Sequence, residues 1–385
     1  PMEPIYMDYA ATTPVRGEVR EAMEPFLWKA FGNPSSTHRW GREAQAGLEE
    51  ARSRIAACLG VQRREILFVR GGTESDNLAI LGRAEAHHLG GGCPHVVTSC
   101  IEHKAVLEAA QAVDSMGGRC TVLPVDPGGR VARSDLEEAL ADDPCLLSLM
   151  WVNNEVGTIH DLEEIVPLAR ARGVPVHTDA VQAIGKVPVD LGAVEVDYLS
   201  LSGHKFYGPK STGVLFVRDG SPLSARLHGG GQEGGLRPGT QDVAGAVGLA
   251  RALELALEEQ AEFARTREPL RDRLQTRLLE AIPGLRVHGI EGVRASHILN
   301  VGVPEVGPEL VHISLDLEGL AVSGGSACQS GSNTGSHVVR GLMGEDALPT
   351  AIRFSLGRTT TKEDVDQAAE VTIRVVRRLQ PTPAG

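Results

Sequence analysis

Short apolar runs alternate with amphipathic stretches through the first two thirds of the 385-residue chain. Seven apolar runs predict strands, at residues 66–69, 96–99, 121–125, 146–152, 174–178, 198–201 and 213–217. Between most of them apolar residues recur at helical spacing, as in 75–87, 104–115 and 162–172. Because the strands are apolar almost throughout and alternate with helices, the pattern predicts a mostly parallel sheet covered by helices.

The last third of the chain has a different pattern. Residues 242–280 predict one long helix, which a Pro283–Gly284 break follows. Apolar runs at 296–303 and 352–356 and a helical pattern at 362–379 predict a second, smaller α/β unit. We therefore expect an α/β fold with a large domain at 16–255 and a small domain made from 1–15 and 256–385.

Composition, charge and cysteine spacing argue against several classes of protein. The chain is 42% hydrophobic and 23% charged, as globular proteins are, and its net charge of -12 disfavours nucleic acid as the main partner. No apolar run reaches the length of about 18 residues that a membrane span needs, so no membrane association is predicted. The six cysteines form no close pair and no secretory signal precedes them, which predicts reduced thiols in the cytoplasm.

A candidate anion site follows the strand at 66–69. Gly71 and Gly72 lead into a helix that begins near Thr73. The first N–H groups of a helix have no partner within it, and glycines let a ligand approach the backbone closely, so the segment suits a phosphate. A plain helix cap is the alternative interpretation. The segment matches neither of the common glycine-rich nucleotide motifs.

Two other predicted strands end in charged residues. Asp179 follows the strand at 174–178, and a carboxylate there needs a positive partner such as a protonated pyridine nitrogen. A metal ligand or a helix cap is also compatible with Asp179 alone. Lys205 lies after the strand at 198–201 in a tight turn beside Ser202 and His204, a setting that can make a lysine an amine nucleophile. An anion cradle, an acid and a lysine at the ends of strands in one sheet predict a pyridoxal phosphate (PLP) enzyme.

Motifs along nearly the whole chain resemble the cysteine desulfurases. They begin with YMDYAATT at 6–13 and continue with GGTESDNLAI (71–80), IEHKAV (101–106), NNEVG (153–157), TDAVQ (178–182), SGHKFYGPK (202–210), GLRPGTQ (235–241), GGSAC (324–328) and IRFSLGR (352–358). The family is the NifS/IscS-like group of class V aminotransferase-related enzymes. The resemblance implies the fold type I, or aspartate aminotransferase-like, architecture of PLP enzymes.

The resemblance also implies a homodimer with defined roles at the cofactor. Lys205 would bind PLP as a Schiff base, while His103 stacks on the ring and Asp179 pairs with the ring nitrogen. Gln182 would donate to the phenolate oxygen, and Asn154 would orient substrate or cofactor. The phosphate would be held by Gly72, Thr73, Ser202, His204 and the partner subunit's Thr240.

Two further residues are implied to define the reaction. Arg353 offers a forked donor for the carboxylate of L-cysteine. Cys328 would attack the substrate sulfur as a thiolate, which leaves alanine and a Cys328 persulfide, while Lys205 or His103 moves the protons. The sulfur would pass to an acceptor protein in iron–sulfur cluster assembly, or to thio-cofactor or tRNA thiolation.

Three alternatives remain open on the sequence. Another class V PLP enzyme, such as a selenocysteine lyase or an aminotransferase, would share every feature except the role of Cys328. A metal hydrolase would use His87, His88, Cys93, His95, Cys100 and His103, although these residues lack the usual ligand spacings, and we predict no metal. A non-catalytic interaction protein could also have this fold.

Overall fold

The computed structural model describes residues 4–324, 335–348 and 350–380. The helices and strands in these ranges are, in chain order, β1 (Ile5–Tyr6), α1 (Gly17–Trp28), α2 (Arg39–Leu59), β2 (Ile66–Val69), α3 (Gly72–Leu89), β3 (His95–Ser99), α4 (Lys104–Ala112), β4 (Arg119–Leu123), α5 (Arg133–Leu140), β5 (Leu146–Ser148), α6 (Leu162–Arg170), β6 (Val176–Asp179), β7 (Tyr198–Ser202), β8 (Gly213–Val217), α7 (Val243–Ala281), β9 (Arg286–Val287), β10 (Ile298–Val303), α8 (Pro308–Leu317), β11 (Leu320–Ala321), α9 (His337–Met343), β12 (Thr350–Ser355) and α10 (Lys362–Leu379). Short 3-10 turns lie between some of them.

The largest sheet has seven strands in the order β2-β8-β7-β6-β5-β3-β4. β8 runs in the direction opposite to the other six strands, because it is antiparallel to both of its neighbours, β7 and β2. The pairs β3–β4, β3–β5, β5–β6 and β6–β7 are parallel. The prediction of a mostly parallel sheet is therefore confirmed.

Helices cover both faces of this sheet. Successive side chains of a strand point to opposite faces, so Val214 and Phe216 of β8 join one hydrophobic cluster and Leu215 joins the other. The first cluster includes residues of α1, α2 and the first half of α7, and the second includes residues of α3 and α4. Burial on both faces explains why these strands are apolar almost throughout.

A separate hydrophobic cluster, away from the large sheet, lies around the antiparallel sheet β12-β10-β9. It takes in the second half of α7 through Leu274 and Leu278, the helices α8 and α10, and the chain start through Ile5 and Met7. The start of the chain is held there because β1 pairs with β11. One helix, α7, thus contributes to both the large and the small cluster.

Several predicted boundaries were wrong. The strand predicted at 146–152 ends at Ser148, and the buried residues after it form a loop. The strand predicted at 121–125 lies two residues earlier, and α3 begins at Gly72 instead of residue 75. Apolar runs buried by tertiary contacts look the same in a strand and in a buried loop, so the sequence could not separate them. No helix in the described ranges has both the length and the apolar character that a membrane crossing requires.

Candidate active site

A cavity of about 250 Å³ lies at the carboxyl ends of the parallel strands. Strand ends are where ligands bind in open α/β sheets, since the connecting loops leave a crevice there. The predicted site residues that line this cavity are Gly72, Thr73, His103, Asn154, Asp179, Gln182, Ser202, His204, Lys205 and Arg353. The structure therefore brings together residues that are far apart in the sequence.

One end of the cavity is shaped for an anion. Gly71 has a φ of 122°, a conformation that favours glycine, and α3 starts directly after it, so the first N–H groups of a long helix face the cavity end. A Cβ atom on Gly72 would come within 2.9 Å of a Val181 methyl group. Ser202 lies opposite, with its hydroxyl oxygen 3.5 Å from where a Cβ on Gly71 would stand. The segment fits a phosphate and is more than a plain helix cap.

His204 contributes to the same end without adding charge. Its Nδ1 lies 3.1 Å from the hydroxyl of Thr12. Burial, and then the charge of Lys205, lower the pKa of His204 to about 4. A neutral His204 at neutral pH can act as a hydrogen-bond partner of an anion.

Asp179 lies at the end of β6 and is only 5% exposed. Its Oδ1 accepts a hydrogen bond from the Val181 N–H at 2.9 Å. Burial raises the pKa of Asp179 to about 6, although that hydrogen bond and the charge of Lys205 act in the other direction. A protonated pyridine nitrogen would supply the positive partner that a buried carboxylate requires, so Asp179 fits the ring of PLP.

His103 is the N-cap of α4 and also lines the cavity. Its Nδ1 accepts from the Ala105 N–H at 3.1 Å, which assigns the ring proton of the neutral form to Nε2. Burial, followed by the charges of Lys205 and His337, lowers the pKa of His103 to about 4. His103 thus caps α4 and lines the cavity at the same time.

Lys205 lies in the 3-10 turn Gly203–Lys205 directly after β7. Its Nζ donates to the carbonyl oxygens of Ala10 and Ala11 at 2.7 and 2.8 Å. The side-chain amide of Gln182 donates to the same Ala10 oxygen at 2.9 Å, and an amide nitrogen carries a second hydrogen for a ligand. The chain start therefore forms one wall of the cavity.

Arg353 lies at the other end of the cavity, on β12 of the small sheet, and is only 2% exposed. Its guanidinium donates to the Asn154 carbonyl oxygen at 2.7 Å and to an Asp8 carboxylate oxygen at 2.8 Å. Within the described ranges, the Arg353 Nε and the Asn154 Oδ1 are buried without a hydrogen-bond partner. Unpaired buried polar atoms of this kind suit a substrate carboxylate and its amino group.

One predicted residue of the described ranges, Thr240, is not brought into this cavity. Thr240 is exposed and does not line it, and the loop that carries Thr240 is held by an ion pair from Arg237 to Glu74 of α3 at 2.8 Å. Cys328 lies outside the described residues.

The six candidate metal ligands are spread over several elements. His95 lies within β3 and bonds to the Thr121 hydroxyl, Cys93 contacts the Gly117 carbonyl, and His103 caps α4. Across residues 4–324, 335–348 and 350–380, no cluster of at least three His, Cys, Asp or Glu side chains could hold a metal ion.

Sequence reasoning missed six residues of the cavity. They are Ala10, Ala11, Asp76, Met150, Val152 and Val181. Asp76 falls one helical turn after Thr73, a spacing that could have revealed it. Met150 and Val152 were missed because their segment was predicted to be part of a strand.

An anion cradle at a helix start, a buried acid and a lysine at neighbouring strand ends define a PLP-dependent enzyme of fold type I. The chain matches the aminotransferase class-V family over residues 5–368 and belongs to that family. Because members of this family use PLP, PLP is the cofactor of this chain. The fold class and the family predicted from the sequence are confirmed.

Several relatives carry the name cysteine desulfurase. The chain is 44% identical to cysteine desulfurase IscS of Dictyoglomus turgidum, over 98% of this chain and 95% of that protein. It is 43% identical to the putative cysteine desulfurase IscS 1 of Bacillus subtilis, over 98% of this chain and 100% of that protein. A solved NifS-like protein superposes with a TM-score of 0.90 at 37% identity, over 98% of this chain and 100% of that one. A structure of SspA in complex with cysteine gives a TM-score of 0.79 at 35% identity, over 91% and 98% of the two chains.

Proposed function

We propose that the chain is a cysteine desulfurase, which converts L-cysteine to L-alanine and carries the sulfur as a persulfide on Cys328. The observation that carries the proposal is the buried Arg353 guanidinium, in the same cavity as Lys205 and Asp179. A fixed forked cation in that position selects an amino acid by its carboxylate. The names of the relatives support cysteine as that amino acid.

The chain's own residues divide the work of holding the cofactor. Lys205 would bind PLP covalently and Asp179 would face its ring nitrogen, while the first turn of α3, Ser202 and His204 would hold the phosphate. His103 would lie over the ring. When bound, PLP withdraws electrons from the α-carbon of an amino acid and so weakens the bonds there.

Arg353 would bind and orient the substrate. Its contact with Asp8 occupies one prong of the fork, and the substrate carboxylate would replace or share that contact. The second prong stays on the Asn154 carbonyl, so the guanidinium keeps its orientation. Burial excludes water and strengthens the charge-assisted bond.

Lys205 is better suited than His103 to move protons at the substrate α-carbon. The Nε2 of His103 already has a proton, and its Nδ1 is occupied by the Ala105 N–H, so His103 can accept a proton only by giving up the α4 cap. The Lys205 nitrogen, once released as a neutral amine, can keep its two hydrogen bonds to the Ala10 and Ala11 carbonyls and still accept a proton on its lone pair. Lys205 would therefore take the proton from the α-carbon and return it to the cofactor side.

We also propose a homodimer, a two-domain division and a sulfur-acceptor partner in the cytoplasm. The exposed Thr240, outside its own cavity, supports contact with a second subunit's phosphate. The separate large and small hydrophobic clusters support domains at 16–255 and at 1–15 with 256–385. The five cysteines of the described ranges are free, which supports a reducing compartment.

The test is to incubate the PLP-loaded protein with L-cysteine and a reductant, and to measure alanine and sulfide. We expect both products in equal amounts, and we expect Cys328→Ala to lose them while it keeps the visible absorption of the cofactor. An unchanged rate of sulfide release by Cys328→Ala would contradict the proposal. A strong preference for L-selenocysteine would favour a selenocysteine lyase instead.

A further inference from the structure

A second lysine, Lys186, is buried directly behind Lys205. It lies in the turn after β6, and the residue is only 7% exposed. Its Nζ donates to the backbone carbonyl of Lys205 at 3.1 Å and reaches the Ile184 carbonyl at 3.5 Å. Lys186 is thus tied to the backbone of the residue that holds the cofactor.

Lys186 has no carboxylate partner in the described part of the chain. Its Nζ lies over the ring of Phe263, 5.4 Å from the ring centre. Burial, and then the charge of Lys205, lower the pKa of Lys186 to about 8. The ammonium group therefore remains charged at neutral pH although only carbonyl oxygens and a ring face solvate it, an arrangement that costs stability.

The other groups around Lys186 do not neutralise its charge. The ionisable residues that line the small cavity beside it are Arg16, Tyr207, Glu259 and Arg358. Glu259 is already paired with Arg16 at 2.8 Å. His297 also faces Lys186, and burial, followed by the charge of Lys186, lowers the pKa of His297 far enough to keep it neutral.

Three titratable groups face Lys205, two of them from other elements and one from its own turn. They are Asp179 of β6, His103 at the start of α4 and His204 of the same turn. Both histidines are neutral at neutral pH, so the charges near Lys205 include those of Asp179, of Lys186 and of Arg353, which lines the same cavity. Lys186 is the one that also holds the Lys205 backbone.

We propose that Lys186 is a positioning residue for the reaction, and that its buried positive charge weakens proton binding at the Lys205 nitrogen. The charge makes a second positive charge nearby unfavourable, and the carbonyl contact fixes the distance between the two lysines. A Lys205 nitrogen that releases its proton more easily can act as the proton carrier at the α-carbon. This role rests on the proposed function of Lys205 as the residue that binds PLP.

The experiment is a pH titration of the visible absorption band of the PLP-loaded protein in the absence of cysteine. Lys186→Met removes the charge and the carbonyl contact, Lys186→Gln removes the charge but keeps an N–H donor, and Lys186→Arg keeps both. Lys210→Met is the matched control, since Lys210 is an exposed lysine five residues after Lys205. Circular dichroism establishes that each variant is folded, and Lys186→Gln gives an uncharged variant even if Lys186→Met does not fold.

We expect the midpoint of the titration to rise by about half a pH unit or more in Lys186→Met and Lys186→Gln. Lys186→Arg and Lys210→Met should titrate as the unchanged protein does. The inference is overturned if the two uncharged variants also keep that midpoint, or if Lys186→Met alone shifts it, because the carbonyl contact and not the charge would then be responsible. A protein without any visible band would instead contradict the proposed function.

Discussion

The two ends of the cavity are built in different ways. The cofactor end, with Thr73, Asp179 and Lys205, lies at the carboxyl ends of the strands of one sheet, in the first turn of α3, at the end of β6 and in the turn after β7. The substrate end depends on Arg353 from the small sheet, which reaches across to Asn154 and Asp8. Cofactor binding therefore depends on the large sheet and on the chain start that lines it, whereas substrate selection also requires the small sheet to pack against them.

The largest expected effect is that of Lys205→Ala, because Lys205 acts at both ends of the cavity. We expect cysteine turnover to fall on the order of a thousandfold or more, because the covalent link and the proton carrier are lost together. The visible band should change to that of non-covalently held PLP. Absorption spectra and alanine release check this, and turnover within tenfold of the unchanged protein would contradict the role.

The next largest effect is that of Arg353→Lys at the substrate end. A lysine cannot hold the Asn154 carbonyl and a carboxylate with the same fork, so we expect kcat/KM to fall about 100-fold, or about 2.7 kcal/mol. PLP affinity should stay unchanged because the cofactor end is built separately. Arg286→Lys is the control, since Arg286 is exposed on β9, at the other edge of the same small sheet. A weaker affinity for PLP without a change in kcat/KM would show that Arg353 acts at the cofactor end and not at the substrate end.

The cofactor end could be predicted from the sequence in some detail. Thr73, Asp179 and Lys205 each follow an apolar strand, so local pattern alone placed them at one edge. The contacts of Arg353 could not be predicted, because Asp8 and Asn154 are separated from it by 345 and 199 residues and meet it only through packing. Met150 and Val152 were assigned to a strand because a buried loop can be as apolar as a strand.

A smaller effect is expected from Glu102→Gln, beside His103. Glu102 is fully buried and accepts from the Met150 N–H and the Ser99 hydroxyl, both at 2.9 Å. Burial raises the pKa of Glu102 from 4.5 to about 8, so the folded state keeps a proton that the unfolded state loses as the pH rises above 4.5. The stability from this proton is present below 4.5 and is lost as the pH rises to about 8.

The measurement for Glu102→Gln is the free energy of unfolding by urea at several pH values. Because glutamine cannot ionise, the free energy of unfolding of the variant should increase relative to that of the unchanged protein by about 2 kcal/mol between pH 4.5 and pH 6. The control is Glu137→Gln, since Glu137 is a partly exposed residue of α5. A stability difference that does not depend on pH would show that Glu102 is ionised in the folded protein.

The smallest effect is that of Gly71→Ala at the phosphate end. Gly71 has a φ of 122°, so an alanine there costs about 1 to 2 kcal/mol of stability and moves the first turn of α3. We expect PLP to bind about tenfold more weakly, while the KM for cysteine of the loaded protein is unchanged. Gly91→Ala is the control, because Gly91 has a φ of 87° and lies at the surface beyond α3. Equal losses of PLP affinity in both variants would mean that the cradle has no special role.

The transfer of sulfur from L-cysteine to Cys328 is tested most directly by mass spectrometry of the peptide that contains Cys328. The peptide is taken after one turnover of isotope-labelled L-cysteine without reductant. We expect one additional labelled sulfur atom on Cys328 and an equal amount of alanine, both lost in Lys205→Ala. Alanine formed without labelled sulfur on Cys328 would contradict it.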